Sequence, residues 1–142
     1  MTPANLGLGE LPDGQPYGII MDMDVDGDTA TLTSFASGDA SFYLSTGRII
    51  IGGGEHAAVA NAAKRFVAAA GQHLDRMARS DTQPRPAAGQ INFYVLTSEA
   101  VLGATRPEIE LGEGRDSLSP LFYAGHDVIT QLRLIDERLR AN

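Results

Sequence analysis

The chain contains no cysteine, only one lysine, and no apolar run long enough to matter to a membrane. Without thiols there are no disulfides, no thiolate metal sites and no cysteine nucleophile, so packing alone has to hold the fold. A bilayer span needs ~20 consecutive apolar residues, which the sequence nowhere approaches. The opening Met1-Thr2-Pro3-Ala4-Asn5 also lacks the basic stretch and apolar core of a signal peptide. A cytoplasmic protein with no membrane partner is expected. Positive charge is short as well: 11 Lys and Arg stand against 18 Asp and Glu, a formal charge of −7. Arg48, Lys64, Arg65, Arg76 and Arg79 are scattered over different expected elements. Phosphate binding requires a concentrated basic patch, so nucleic acid is not an expected partner.

Catalytic signatures are missing too. The three histidines, His56, His73 and His126, lie far apart, and no pair has the spacing that places two imidazoles on one helical face. No serine sits in a G-x-S-x-G elbow, and no G-x-G-x-x-G follows a strand. Neither a catalytic residue nor a cofactor is assigned. His56 is the best placed histidine, because it opens an expected helix.

What is present is the material of one globular domain: 142 residues, 43% hydrophobic and 20% charged. Residues 1–16 carry glycine and proline without periodicity and read as a loose arm, which leaves 17–142 as the folded part. From Ile19 to Val25 apolar and polar residues alternate, as in a strand with one buried face. Asp26-Gly27 follows as a two-residue hairpin turn, which needs positive φ at both positions. That turn sets Val25 opposite Asp28, Met23 opposite Ala30 and Met21 opposite Leu32, with Asp24 facing Thr29 and Asp22 facing Thr31.

Further turns at Ser37-Gly38-Asp39 and Thr46-Gly47 bound strands at Ser41–Ser45 and Arg48–Ile51, which completes a four-stranded meander. The unbroken Ile49-Ile50-Ile51 predicts a strand covered on both faces, with helices on both sides of the sheet. Spacings of three and four from Glu55 to about Arg79 predict a long amphipathic helix. Residues 80–89 read as an exposed, mobile connection. Strands are expected at Ile91–Thr97 and from Ala100 to Thr105, and Glu108–Leu111 alternates as a short edge strand would. Ser119 as N-cap and Pro120 at the first helical position start a final helix to about Arg140. Its seam is Leu121, Gly125, Val128, Leu132, Ile135 and Leu139. The fold class is therefore α+β: an antiparallel sheet of five or six strands and two long amphipathic helices, in the order ββββ-α-ββ(β)-α.

Three groups of residues carry chemistry worth weighing. Asp22, Asp24, Asp26 and Asp28, with Gly27, match the opening of a calcium loop, but the twelfth position is Thr33 where a bidentate Glu belongs. Turn chemistry explains the run more simply. Gly52, Gly53 and Gly54 before a helix starting near His56 have the geometry that holds anions, although Glu55 puts a negative charge where a phosphate would sit. Tyr43, Phe122 and Tyr123 stand beside small residues and turns, either as an interface or as core packing.

The segments Tyr17–Met23, Gly38–Tyr43 and Leu118–Gly125 resemble those of a family of small uncharacterised bacterial proteins, which implies no activity. The element order is also similar to that of profilin-like and roadblock-like sandwiches, whose members commonly mediate dimerisation and scaffolding. The resulting expectation is a non-enzymatic module for protein association, with a second copy of itself as the partner in a homodimer. The alternatives are a small-molecule or anion-binding domain at the Gly52–His56 turn, and weak calcium binding at Asp22–Asp28.

Overall fold

The first hairpin forms in the register that its alternation dictates. Strands β1 (Pro16–Val25) and β2 (Asp28–Phe35) pair antiparallel with Val25 opposite Asp28, Met23 opposite Ala30 and Met21 opposite Leu32. Asp26 and Gly27 take φ of 53° and 89°, the double left-handed conformation of a type I′ turn. A computed structural model describes residues 15–52 and 56–141, with the side chains of the last helix described as far as residue 137.

Strands β3 (Ala40–Leu44) and β4 (Ile49–Gly52) extend the meander, and helix α1 (Ala57–Gly71) follows. After it come β5 (Ala78–Arg79), β6 (Gln90–Thr97), β7 (Val101–Pro107), the short helix α2 (Glu108–Gly112) and the long helix α3 (Ser119–Ala141). The fold is α+β, with one antiparallel sheet of seven strands in the order β4-β3-β2-β1-β6-β7-β5. The seventh strand escapes a pattern reading because β5 is two residues long, and its only pairing is with Leu102 and Gly103 of β7.

Three other expectations are corrected. The first long helix stops at Gly71, eight residues short of Arg79. Its end is closed by contacts that periodicity does not encode: the Ala69 carbonyl accepts the Gln72 N–H at 3.1 Å, and the His73 imidazole Nδ1 lies 2.8 Å from the same oxygen. Residues 108–111, expected as an edge strand, belong to α2, whose Leu111 is fully buried. At the start of α3, Asp116 acts as the capping residue, its carboxylate accepting the Leu118 N–H at 2.9 Å. The Ser119 hydroxyl reaches back instead, accepting the Asp116 N–H at 3.3 Å.

The two faces of the sheet differ in what covers them. Ile19, Met21, Leu32, Phe93 and Val95 point to the face on which α1 and α3 lie, and all are fully buried. Helix α1 adds Val59, Ala63, Phe66, Val67 and Ala70, while α3 adds Leu121, Val128, Leu132 and Ile135. Each large side chain so buried contributes about 1.5–3 kcal/mol. Glycines let the layers close: a Cβ on Gly125 would sit 2.8 Å from the Met21 Cε, and one on Gly52 2.9 Å from the Leu132 Cδ2.

No described helix covers the opposite face, which corrects the expectation of helices on both sides. Ile49 and Ile51 of β4 point outward there and are 61% and 74% exposed. On the centre of this face, hydrogen bonds take the place of apolar packing. Thr31 donates to the Asp22 carboxylate at 2.6 Å, and Thr105 donates to the Asn92 side-chain oxygen at 2.7 Å. Residues 80–89, expected as a free loop, lie across these groups as a strap. The Pro84 carbonyl accepts from the Asn92 amide at 3.2 Å and from the Tyr94 hydroxyl at 3.4 Å. Arg85 reaches the Gly27 carbonyl and the Thr29 hydroxyl, the Gly89 N–H donates to Asp24, and Pro86 is buried. Burial first, and the Asp22 charge second, push the Tyr94 phenol above its ordinary value of 10.0, so it remains a donor to the strap.

Candidate functional site

The four aspartates of the first hairpin do not converge. Asp22 is 6% exposed on the strap side and holds Thr31, while Asp24 accepts the Gly89 N–H at 3.3 Å. Asp26 forms the turn itself, and Asp28 lies 3.4 Å from the Ser45 hydroxyl that donates to it. Successive carboxylates along a strand project side by side and cannot wrap one ion as a loop does. Among the described residues, no group of three or more His, Asp or Glu side chains is arranged to hold a metal.

Of the expected anion-binding turn, Gly53 and Gly54 lie outside the described residues. Gly52 is buried, with its Cα turned toward Leu132 and Val59. His56 is the N-cap of α1 in an extended conformation, and its side chain makes no capping hydrogen bond. Of the expected aromatic group, Phe122 and Tyr123 are neighbours with ring centroids 6.2 Å apart, but Tyr43 stands away from them. Tyr43 is 40% exposed on the outer sheet face, whereas Phe122 is buried in α3. Tyr123, on the exposed side of α3, donates its hydroxyl to the Gly112 carbonyl at 3.1 Å and so ties α2 to α3.

Two features that pattern reading did not single out stand in their place. One is the free edge of the sheet. β4 is the first strand in the order, and among the described residues nothing pairs with its outer side. Ile49 faces Tyr43 across the β3–β4 ladder and Ile51 faces Ser41, so Tyr43, Ile49 and Ile51 form one apolar strip on the outer face beside that edge. The isoleucine triplet signals an apolar strand, but only pairing shows that it is an edge.

The other feature is a cavity of about 550 Å³ between the hairpin ends of β1–β4 and the middle of α3. Met23, Ala30, Phe42, Leu44 and Ile50 form its sheet wall, and Ile129 part of its helix wall. Around them stand Arg48, Glu108, Arg133, Asp136 and Glu137. Arg48 and Asp136 form an ion pair at 2.8 Å across the β4–α3 side. His126 also lines the cavity, and its ring packs edge-on against Phe122 with centroids 4.4 Å apart. Its Nε2 is shielded from solvent and has no hydrogen-bond partner among the described residues. Burial lowers the imidazole below its ordinary value of 6.5, opposed by the charges of Glu108 and Asp127, so the ring is neutral at pH 7. In sequence, the only sign of His126 is its place one residue after Gly125 and one turn after Phe122.

Comparison with family models, curated proteins and solved structures gave no match to this chain. No described helix is long and apolar enough to cross a membrane.

Proposed function

We propose that the chain is a non-enzymatic protein-association module that acts as a homodimer, joined through the free edge of β4 and the apolar strip beside it. The observation that carries this reading is the exposure of Ile49 and Ile51, 61% and 74%, on a strand whose outer edge is unpaired among the described residues. Natural sheets guard such edges with charge, proline or a covering element, because bare N–H and C=O groups invite another strand. Here the strand itself is Ile49-Ile50-Ile51-Gly52. Two copies related by a two-fold axis at Ile50 would set Ile49 of each against Ile51 of the other, a self-complementary contact. The likeness in element order to dimerising profilin-like and roadblock-like sandwiches points the same way.

Covering the exposed part of these two side chains on both copies is worth about 4–8 kcal/mol gross. Association costs at least about 4 kcal/mol, which leaves at most about 4 kcal/mol, so a weak, reversible dimer is expected, in the millimolar range. Light scattering over a concentration series up to about 1 mM tests it. The parent should move from monomer to dimer, and Ile49→Lys with Ile51→Lys should remain monomeric with a melting temperature close to that of the parent, since both side chains already face solvent. A parent that stays monomeric throughout would remove the proposal.

A further inference from the structure

We propose that the cavity beside α3 binds a small amphiphile, an apolar chain bearing one cationic head such as a primary ammonium, with the chain along the sheet and the head at Glu108. The cavity's volume of about 550 Å³ is within the range of small-molecule sites. Its floor is an apolar track that crosses the sheet from β1 to β4. Met23 of β1 stands opposite Ala30 of β2, Ala30 opposite Leu44 of β3, and Phe42 of β3 opposite Ile50 of β4. Neighbouring strands lie about 4.8 Å apart, so the track is about 14 Å long.

The choice of head follows from the charges around this track. Arg48 and Asp136 already hold one another at 2.8 Å on the β4 side. Arg133 and Glu137 stand one turn apart on α3, where side chains are surface neighbours, and their opposite charges offset. Glu108 is left over. It is exposed, it forms no ion pair among the described residues, and its charge acts on the ring of His126, which lines the same cavity. Following Pro107 at the end of β7, it stands at the opposite end of the track from Arg48. An ammonium there keeps most of its hydration, because Glu108 is open to solvent, whereas a carboxylate there would be repelled. The apolar chain supplies the affinity, and Glu108 selects the head.

A series with one tail and three heads, octylamine, octanol and octanoate, provides the test. Each is titrated into the full chain carrying methyl-labelled methionine and followed by NMR. The Met23 methyl signal should shift saturably with octylamine, while that of Met77, next to β5 at the far edge of the sheet, should not. Octylamine should bind about two- to fivefold more tightly than octanol, the effect of one exposed charge pair, and octanoate more weakly than octanol. In Glu108→Gln the affinity for octylamine should fall to that for octanol, and octanol should bind as it does to the parent. Glu108 is exposed and outside every ion pair of the described residues, so this variant keeps the fold. An unmoved Met23 signal, octanol or octanoate binding as tightly as octylamine, or an amine preference that survives Glu108→Gln would each overturn the proposal.

Discussion

Replacing Gly125 with alanine sets two opposing effects against each other where α3 crosses Met21 and Phe66. Alanine favours the helix over glycine by about 1 kcal/mol, so on propensity alone the variant should be more stable. The added methyl, however, would stand 2.8 Å from the Met21 Cε, 3.0 Å from the Phe66 Cζ and 3.1 Å from the Met21 Sδ. Both side chains are fully buried, so neither can swing out into solvent. Overpacking of this kind costs about 1–3 kcal/mol, and the balance is a net loss of about 0–2 kcal/mol. Chemical denaturation monitored by circular dichroism measures it, and in a chain of this size each kcal/mol also moves the melting temperature by roughly 2–4 °C. The diagnostic step is to repeat the substitution in a Met21→Val background. There the sulfur and terminal methyl are gone and Phe66 can relax into the space, so Gly125→Ala should become stabilising by up to about 1 kcal/mol. Stabilisation of that size in the unmodified chain would refute the account, because it would mean that α3 has room to spare where it crosses Met21.

Two further outcomes are expected. Gly27→Ala should cost about 1–2 kcal/mol in equilibrium unfolding, and the loss is purely conformational, since Gly27 has φ of 89° and a Cβ there would meet nothing within 4 Å. His126 should make stability depend on pH in a defined direction. Its folded-state pKa lies below the ordinary 6.5 because the ring is buried. Between those two values the unfolded chain binds a proton that the folded chain refuses, so stability is complete above 6.5 and declines as pH falls toward the lower value. Relative to His126→Phe, the melting temperature of the parent should fall as the pH drops through this window, and a constant difference between the two would contradict the assignment.

Local rules made the first hairpin legible, because a type I′ Asp-Gly turn and a two-residue alternation leave one register that buries Met21 and Met23 together. The stripe of α3 was equally plain, and Leu121, Val128, Leu132 and Ile135 all face the core. Less was readable where a contact from elsewhere decides the outcome. The helical spacing continues past Gly71, yet the chain turns there, and the Pro16 ring packs 3.4 Å from where a Gly71 Cβ would be. Residues 80–89 look like any polar, proline-bearing connection until Asn92, Tyr94 and Asp24 are seen to hold them. The sites were the least legible of all. A place at the start of an expected helix favoured His56, while His126 lines the cavity, because a cavity is made of residues from β1 to β4 and α3 that share no sequence neighbourhood.

By itself, then, the sequence determined the α+β class, the hairpin register and which stripe of each long helix is apolar, since all three follow from short-range periodicity and turn stereochemistry. Tertiary structure alone decided that both long helices lie on one face, that a strap covers the centre of the other and that the isoleucine strand is an edge. The reason is physical: an apolar residue states only that burial would be favourable, and whether Ile50 is buried while Ile49 and Ile51 are not depends on strand order, which arises from long-range pairing.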